Sequence, residues 1–287
     1  MSNRDEARGR RFVPFAVLLV GTALCFLILW GGGRIAALVM PGRTAAVDET
    51  IGSGIIFGLL LVAGLAGGAL CGVDAARLGP SGGRKLIEGA AIGCVGLLIA
   101  TLLAAIAGVL RQSQAAPSAG LIAWGTALIL LQVASEEVFF RGWIQPVLVK
   151  AWGAAGIVVT AIAFALLHLV GGAISVLSVL NLFLGGLLFG LLAARSGGIA
   201  AAVAAHFLWN WTEQLVVGLD PNPGSGSFGS ILNLDLVGSS WWGGSAEGLN
   251  ASVAMTMALA AVLSPLLILA VRTGQPLEQR RSASAPV

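Results

Sequence analysis

Two adjacent glutamates and an arginine interrupt an apolar part of the sequence. The stretch 134–142 reads ASEEVFFRG and follows the apolar run LIAWGTALILLQV. Only 10% of the 287 residues are charged, and ionisable groups inside a membrane span are costly and rarely accidental. Glu136 and Glu137 are therefore candidate site residues, either as catalytic groups or as members of a structural ion pair.

Helical spacing gives the two carboxylates different neighbours. Glu137 and Arg141 are four residues apart, so they can pair along one helix face. Glu136 points about 100° away from Glu137 on the same helix. We therefore expect Arg141 to support Glu137 and to leave Glu136 free to face another helix.

The two histidines of the chain, His168 and His206, also lie in apolar runs, FALLHL and AAHFLWNW. Asn210 follows His206 by four residues, which places both on one helix face. If the fourth span turns back just after Lys150, Glu136 and His168 lie about 20 Å from the same membrane face and His206 about 13 Å. The spacing thus predicts that these polar groups converge in one layer of the membrane.

The composition is that of a membrane protein. Hydrophobic residues make up 57% of the chain and the mean hydropathy is +0.94, which no ordinary soluble domain reaches. Several runs exceed the roughly 18–20 apolar residues that span a bilayer, so we predict an all-α, polytopic membrane protein. We expect about eight transmembrane helices, at 12–31, 51–71, 87–110, 119–149, 154–171, 174–194, 198–217 and 252–271.

The distribution of positive charge predicts the orientation of these spans. The chain has 16 Lys and Arg residues, of which Arg141 lies inside a span. Three lie in the connections on the side opposite the N-terminus: Arg34, Arg43 and Arg111. The other 12 fall on the side of the N-terminus. Because cytoplasmic loops carry the excess of Lys and Arg, we expect both termini in the cytoplasm.

Three short motifs resemble the signatures of one family. EEVFFR, FALLH and HFLWN match the patterns Glu-Glu-x-x-x-Arg, Phe-x-x-x-His and His-x-x-x-Asn, in that order, between Glu136 and Asn210. These are the patterns of the CPBP family, which comprises type II CAAX prenyl endopeptidases and bacteriocin-processing or abortive-infection proteins. The resemblance covers roughly residues 120–215 and leaves the first three spans and the last without support.

The resemblance implies intramembrane proteolysis by an all-helical, eight-span fold. Glu136 would be the general base that activates water, assisted by His168. His206 and Asn210 would form the oxyanion site. Glu137 and Arg141 would support the fourth helix and orient the site.

We expect one integral membrane domain over residues 1–287, with the protease core in 119–217. Residues 218–250, rich in Gly, Ser and Trp, are predicted to form a flexible outer loop, and 273–287 a disordered C-terminal tail. The predicted partners are the lipid bilayer and a peptide or membrane-protein substrate, with no nucleic acid. Short loops and many Ala and Gly residues favour a bacterial cytoplasmic membrane.

Other functions remain open at the level of sequence. Zinc is the alternative to a cofactor-free enzyme, with Glu136, His168 and His206 as ligands, although the chain has no HExxH motif. A proton-coupled transporter could use the same residues as a relay. A non-catalytic immunity or scaffold protein could use them only to hold helices together. Asn181 and Gln132 are interpreted as polar groups that pack helices.

Overall fold

The computed structural model describes residues 3–39, 43–114, 118–172, 174–222 and 226–273. Most of the predicted C-terminal tail therefore lies outside the described residues. The described chain is a bundle of helices with three short strands. In chain order the α-helices are α1 (Asn3–Val39), α2 (Ala45–Leu70), α3 (Gly82–Ile106), α4 (Ala119–Glu137), α5 (Gln145–Trp152), α6 (Ala154–Leu167), α7 (Val176–Ser196), α8 (Ala200–Trp211) and α9 (Val253–Thr273).

Six helical segments are long and apolar enough to cross a membrane. This finding confirms an all-α, polytopic membrane protein. The six correspond to the first six predicted spans, with boundaries that differ by several residues. They are Phe12–Val39, Ala45–Leu70, Gly82–Ile106, Ala119–Trp152, Ala154–Gly171 and Val176–Ser196.

The last two predicted spans are helical but are not among these six in the described part of the chain. The span predicted at 252–271 contains a shorter apolar helix, Val253–Leu269. The span predicted at 198–217 is occupied by α8 and a π-helix, Thr212–Val217. Its polar residues, among them His206 and Asn210, lower the hydropathy of this segment.

The fourth span is one continuous helical rod from Ala119 to Trp152. A π-helix, Val138–Ile144, joins α4 to α5. Pro146 follows directly after this π-helix, in the first turn of α5. The predicted tight turn falls at Gly153, whose φ of 57° is a left-handed conformation that favours glycine, and α6 then runs back through the bundle.

Glycines bring α3 and α8 into backbone contact. A Cβ atom added at Gly89 would lie 2.1 Å from the carbonyl oxygen of Ala201, and one added at Gly93 would lie 2.0 Å from that of Ala205. Small residues of this kind let helices approach closely in lipid. The contact fixes one face of α8 against α3 and so determines which way His206, the next residue after Ala205, can point.

The apolar core has two main clusters in the described residues. One contains buried side chains of α1, α2, the π-helix Val138–Ile144, α5 and α6, such as Phe139 and Leu148. The other contains side chains of α3, α7, α8 and α9, such as Leu97 and Leu188. The buried polar residues described below connect these two halves.

A small sheet lies at the end of the bundle where α3 ends and α4 begins. Its strands are β1 (Leu110–Gln112), β2 (Leu219–Asp220) and β3 (Leu234–Leu236), in the order β1-β3-β2. β3 is antiparallel to β1 and parallel to β2. The segment predicted as an outer loop is thereby joined to the α3–α4 connection, and its predicted flexibility stays a prediction.

Candidate active site

The two glutamates and the arginine lie where the fourth span changes from α-helix to π-helix. Glu136 and Glu137 are the last residues of α4, and Arg141 lies within the π-helix. Such π-turns inside α-helices are rare overall, but the ones that occur are often found at functional sites. Close packing accompanies this turn, because a Cβ atom at Gly142 would lie only 2.0 Å from the carbonyl oxygen of Ala75.

Arg141 pairs with Glu137, as their spacing predicts. Its Nη1 atom lies 3.1 Å from Oε1 of Glu137, and both side chains are fully buried. The Nη2 atom donates to the carbonyl oxygen of Gly186 on α7, also at 3.1 Å. The guanidinium carbon lies 4.5 Å from the centre of the Phe164 ring. Arg141 therefore joins the fourth span to α6 and α7.

His206 binds the same carboxylate from the opposite half of the bundle. Its Nδ1 atom lies 2.9 Å from Oε1 of Glu137, and its ring stacks on Phe189 at a centroid distance of 4.5 Å. A carboxylate can only accept, so Nδ1 carries the proton in this bond. The sequence did not predict this contact, because spacing within one helix gives no information on a partner 69 residues away.

Glu136 faces the other nitrogen of the same imidazole. Its Oε2 atom lies 4.0 Å from Nε2 of His206, and its Oε1 atom accepts a hydrogen bond from Gln132 at 3.3 Å. The residue is 6% exposed. The two glutamates thus contact opposite sides of one histidine ring, and Gln132 is a neighbour of Glu136 as well as a packing residue.

His168 lies beside this group rather than in direct contact with its carboxylates. It is the first residue of a 3-10 helix, His168–Gly171, that follows α6. Its Nδ1 atom lies 2.7 Å from the carbonyl oxygen of Phe164, which makes Nδ1 the donor and leaves Nε2 available as an acceptor. The Phe164 ring contacts both histidines, at 4.5 Å from His168 and 6.3 Å from His206 between ring centres.

Asn210 lies one turn after His206 on α8 and is half-buried. Its side chain forms no hydrogen bond with the residues that the structure describes. The amide group therefore remains available on the helix face that carries His206. Asn181, by contrast, donates to the carbonyl oxygens of Asn250 and Ser252, each at 2.9 Å, which agrees with its interpretation as a packing group.

Glu213 and Gln145 are among the buried polar residues that were not singled out from the sequence. Glu213 lies in the π-helix that follows α8 and is 4% exposed; an acidic residue inside the predicted span 198–217 was the available signal. Gln145 donates to the carbonyl oxygen of Gly190 on α7 at 2.9 Å. One helical turn away, Arg141 makes the equivalent bond to Gly186, so a pair of side chains secures the fourth span to α7.

The donor atoms do not converge as a metal site requires. Across the described ranges, no group of three His, Cys, Asp or Glu side chains could hold a metal ion. Glu136 and His206 approach each other to 4.0 Å, whereas the contacts of His168 are with Phe164. Glu136, His168 and His206 are therefore not found together as a three-ligand group among the described residues, and the choice between metal and metal-free chemistry stays a prediction.

Comparison with known proteins gives one match and one negative result. The family model described as type II CAAX prenyl endopeptidase, Rce1-like, matches residues 118–212, about a third of the chain. No curated protein matches the chain. The matched segment contains all six predicted site residues, the four candidate catalytic ones and the Glu137–Arg141 pair. The match agrees with the resemblance: within a chain that has six helices able to span a membrane, residues 118–212 are similar to the Rce1-like, type II CAAX prenyl endopeptidase family.

Proposed function

We propose that the chain hydrolyses a peptide bond within the membrane by means of a glutamate-activated water. The observation that carries this proposal is the pair of contacts on His206, with Nδ1 at 2.9 Å from Glu137 and Nε2 at 4.0 Å from Glu136. A buried imidazole between two carboxylates, one of which also binds Arg141, contains the base, donor and counter-ion that hydrolysis requires.

Glu136 is the general base in this proposal. The 4.0 Å between its Oε2 atom and Nε2 of His206 is too long for a direct hydrogen bond. One water molecule can bridge this gap. Two atoms 4.0 Å apart can each lie about 2.8 Å from the same water oxygen, with an angle near 90° between the two contacts. Glu136 takes a proton from that water, and the resulting hydroxide attacks the carbonyl carbon of the substrate. The same proton then passes to the departing amine.

His206 and Asn210 stabilise the oxyanion of the tetrahedral intermediate. Because Nδ1 already donates to Glu137, Nε2 can donate to a substrate oxygen only when the ring is protonated. The carboxylates of Glu136 and Glu137 supply the compensating negative charge on either side of the ring. The amide of Asn210, on the same helix face, is the second donor.

His168 assists the base. The bond from Nδ1 to the carbonyl oxygen of Phe164 leaves the lone pair of Nε2 as the free acceptor of a neutral ring. An acceptor suits a group that orients a water or shares its proton, and it does not suit a second oxyanion donor. The Nδ1 proton of His206 is held by the Glu137 carboxylate, whereas that of His168 is held by the neutral carbonyl oxygen of Phe164. The two histidines therefore have different roles.

The substrate is a peptide or a membrane protein that lies within the bilayer, and the reaction uses no metal. Among the described residues these side chains do not form a group of three candidate ligands, which supports glutamate chemistry over zinc chemistry. We place the protein in a bacterial cytoplasmic membrane with both termini in the cytoplasm. A cysteine substituted at Ser227 should then react with a membrane-impermeant maleimide in intact cells, and reaction only after permeabilisation would contradict this orientation.

The proposed activity can be tested with purified protein in lipid nanodiscs. The substrates are synthetic peptides, namely an apolar membrane-spanning helix and C-terminal peptides with and without a prenyl group, and products are identified by mass spectrometry. We expect wild-type protein to cleave at least one peptide, His168→Ala to lose most of the activity, and Glu49→Gln to retain it. Glu49 is the matched control because it lies on α2 and accepts from the backbone of Ser227. Absence of cleavage by the wild type, or equal cleavage by His168→Ala, would contradict the proposal.

A further inference from the structure

A cavity separate from the candidate active site lies at the opposite end of the bundle from the small sheet. Its volume is about 90 Å³. It is formed where α3 and α8 begin and where α7 and α9 approach their ends. Three charged residues line it: Lys85, Glu88 and Arg195.

The charges at this cavity do not cancel. Glu88 accepts a hydrogen bond from Nζ of Lys85 at 2.6 Å and another from Nε of Arg84 at 2.8 Å. Arg195 is exposed and has no carboxylate partner among the residues that the structure describes. The cavity lining thus holds two cations, Lys85 and Arg195, and one carboxylate, which leaves a net positive charge for an anion to neutralise.

The other side of the cavity is apolar. Ile92, Leu192 and Leu266 line it from α3, α7 and α9. They lie nearer the middle of their helices than Lys85 and Arg195, which are close to the ends of α3 and α7. Charged groups at a helix end, followed by apolar side chains one or two turns deeper, match the order of headgroup and acyl chains in a phospholipid leaflet.

We propose that this cavity binds the phosphate group of an anionic phospholipid, with Lys85 and Arg195 as the binding residues. A guanidinium binds phosphate oxygens in pairs, and an ammonium provides a point charge. The acyl chains lie against Ile92, Leu192 and Leu266. A lipid bound in this way bridges α3 and α7 and holds α9, which lies outside the Rce1-like segment, against them.

Lipid titration of the detergent-purified full chain, followed by native mass spectrometry, tests this proposal. The probes are dioleoyl-phosphatidylglycerol, dioleoyl-phosphatidylcholine and inorganic phosphate. We expect wild-type protein to retain phosphatidylglycerol in preference to phosphatidylcholine. The double variant Lys85→Gln/Arg195→Gln should bind phosphatidylglycerol roughly 30-fold more weakly, since each basic residue at an anionic headgroup contributes a factor of roughly five.

The matched control is Arg34→Gln/Arg43→Gln, which removes two positive charges near the α1–α2 connection at the other end of the bundle. This variant should bind phosphatidylglycerol as the wild type does. Equal retention of the two lipids by the wild type, equal loss in both double variants, or full competition by inorganic phosphate would each overturn the assignment of a lipid headgroup. The thermal unfolding midpoint of each variant in phosphatidylcholine verifies that the compared proteins are folded.

Discussion

One carboxylate oxygen of Glu137 binds two groups from different helices: Nδ1 of His206 at 2.9 Å and Nη1 of Arg141 at 3.1 Å. The first bond crosses from the fourth span to α8, and the second lies along the fourth span itself. Glu137 therefore orients the imidazole of His206, which faces Glu136. Arg141 balances the negative charge of Glu137. The supporting role predicted for Glu137 would consist of these two contacts, to His206 and to Arg141.

The first prediction concerns the buried pair. Glu137→Gln and Arg141→Met should each lower the free energy of unfolding by about 3–5 kcal/mol, because Glu137→Gln leaves the buried Arg141 guanidinium without a carboxylate and Arg141→Met leaves the Glu137 carboxylate with only the His206 imidazole. The double variant should be more stable than the sum of the two losses implies, since neither charge then remains. Unfolding in mixed detergent micelles measures all four proteins. Strict additivity would show that the pair is not energetically coupled.

The second prediction separates binding from chemistry on α8. His206→Ala and Asn210→Ala should lower kcat by about 10²–10³-fold each and change KM much less, because an oxyanion donor acts mainly on the transition state. The measurement is kcat and KM for one peptide under identical lipid conditions. A rise in KM with unchanged kcat would assign these residues to substrate binding instead.

The third prediction concerns the glycine contact that positions α8. Gly93→Ala should destabilise the protein by about 1–3 kcal/mol and lower activity, because the added methyl group overlaps the carbonyl oxygen of Ala205. Gly58→Ala on α2 is the matched control, since a Cβ atom there meets no described atom within 4 Å. Thermal unfolding of both variants provides the comparison, and equal midpoints would contradict the proposed close approach.

Spacing within single helices predicted a large part of the site. The four-residue interval gave the Glu137–Arg141 pair, and the three motifs gave the segment that the family model matches. The helical class followed from composition, because long apolar runs have few alternatives in a membrane. These features depend on the spacing of residues that are close together in the chain, which can be read directly from a sequence.

The contacts between helices could not be predicted in the same way. Whether His206 binds Glu136 or Glu137 depends on the rotation of α8, which the backbone contacts of Gly89 and Gly93 determine. The π-helix at 138–144 depends on packing against other helices, such as that of Gly142 on Ala75. Neither effect has a periodic signal. The position of His168 at the end of α6, beyond the last α-helical turn, was unpredictable for the same reason.

The fourth prediction concerns metal dependence. Activity should survive extensive dialysis against a chelator, because the proposed reaction uses Glu136 and the two histidines without a metal ion. Elemental analysis of the active fraction should find far less than one zinc per chain. A stoichiometric zinc content that is lost together with activity, and restored with it by zinc alone, would establish the metal mechanism instead.

The central claim is that Glu136 removes a proton from the attacking water, and single-turnover cleavage by Glu136→Gln tests it most directly. An amide of nearly the same shape cannot act as the base, so the rate should fall by about 10²–10⁴-fold. The thermal unfolding midpoint and the elution volume of the variant should match those of the wild type, which separates loss of chemistry from loss of fold. Cleavage at the wild-type rate by folded Glu136→Gln protein would contradict the claim.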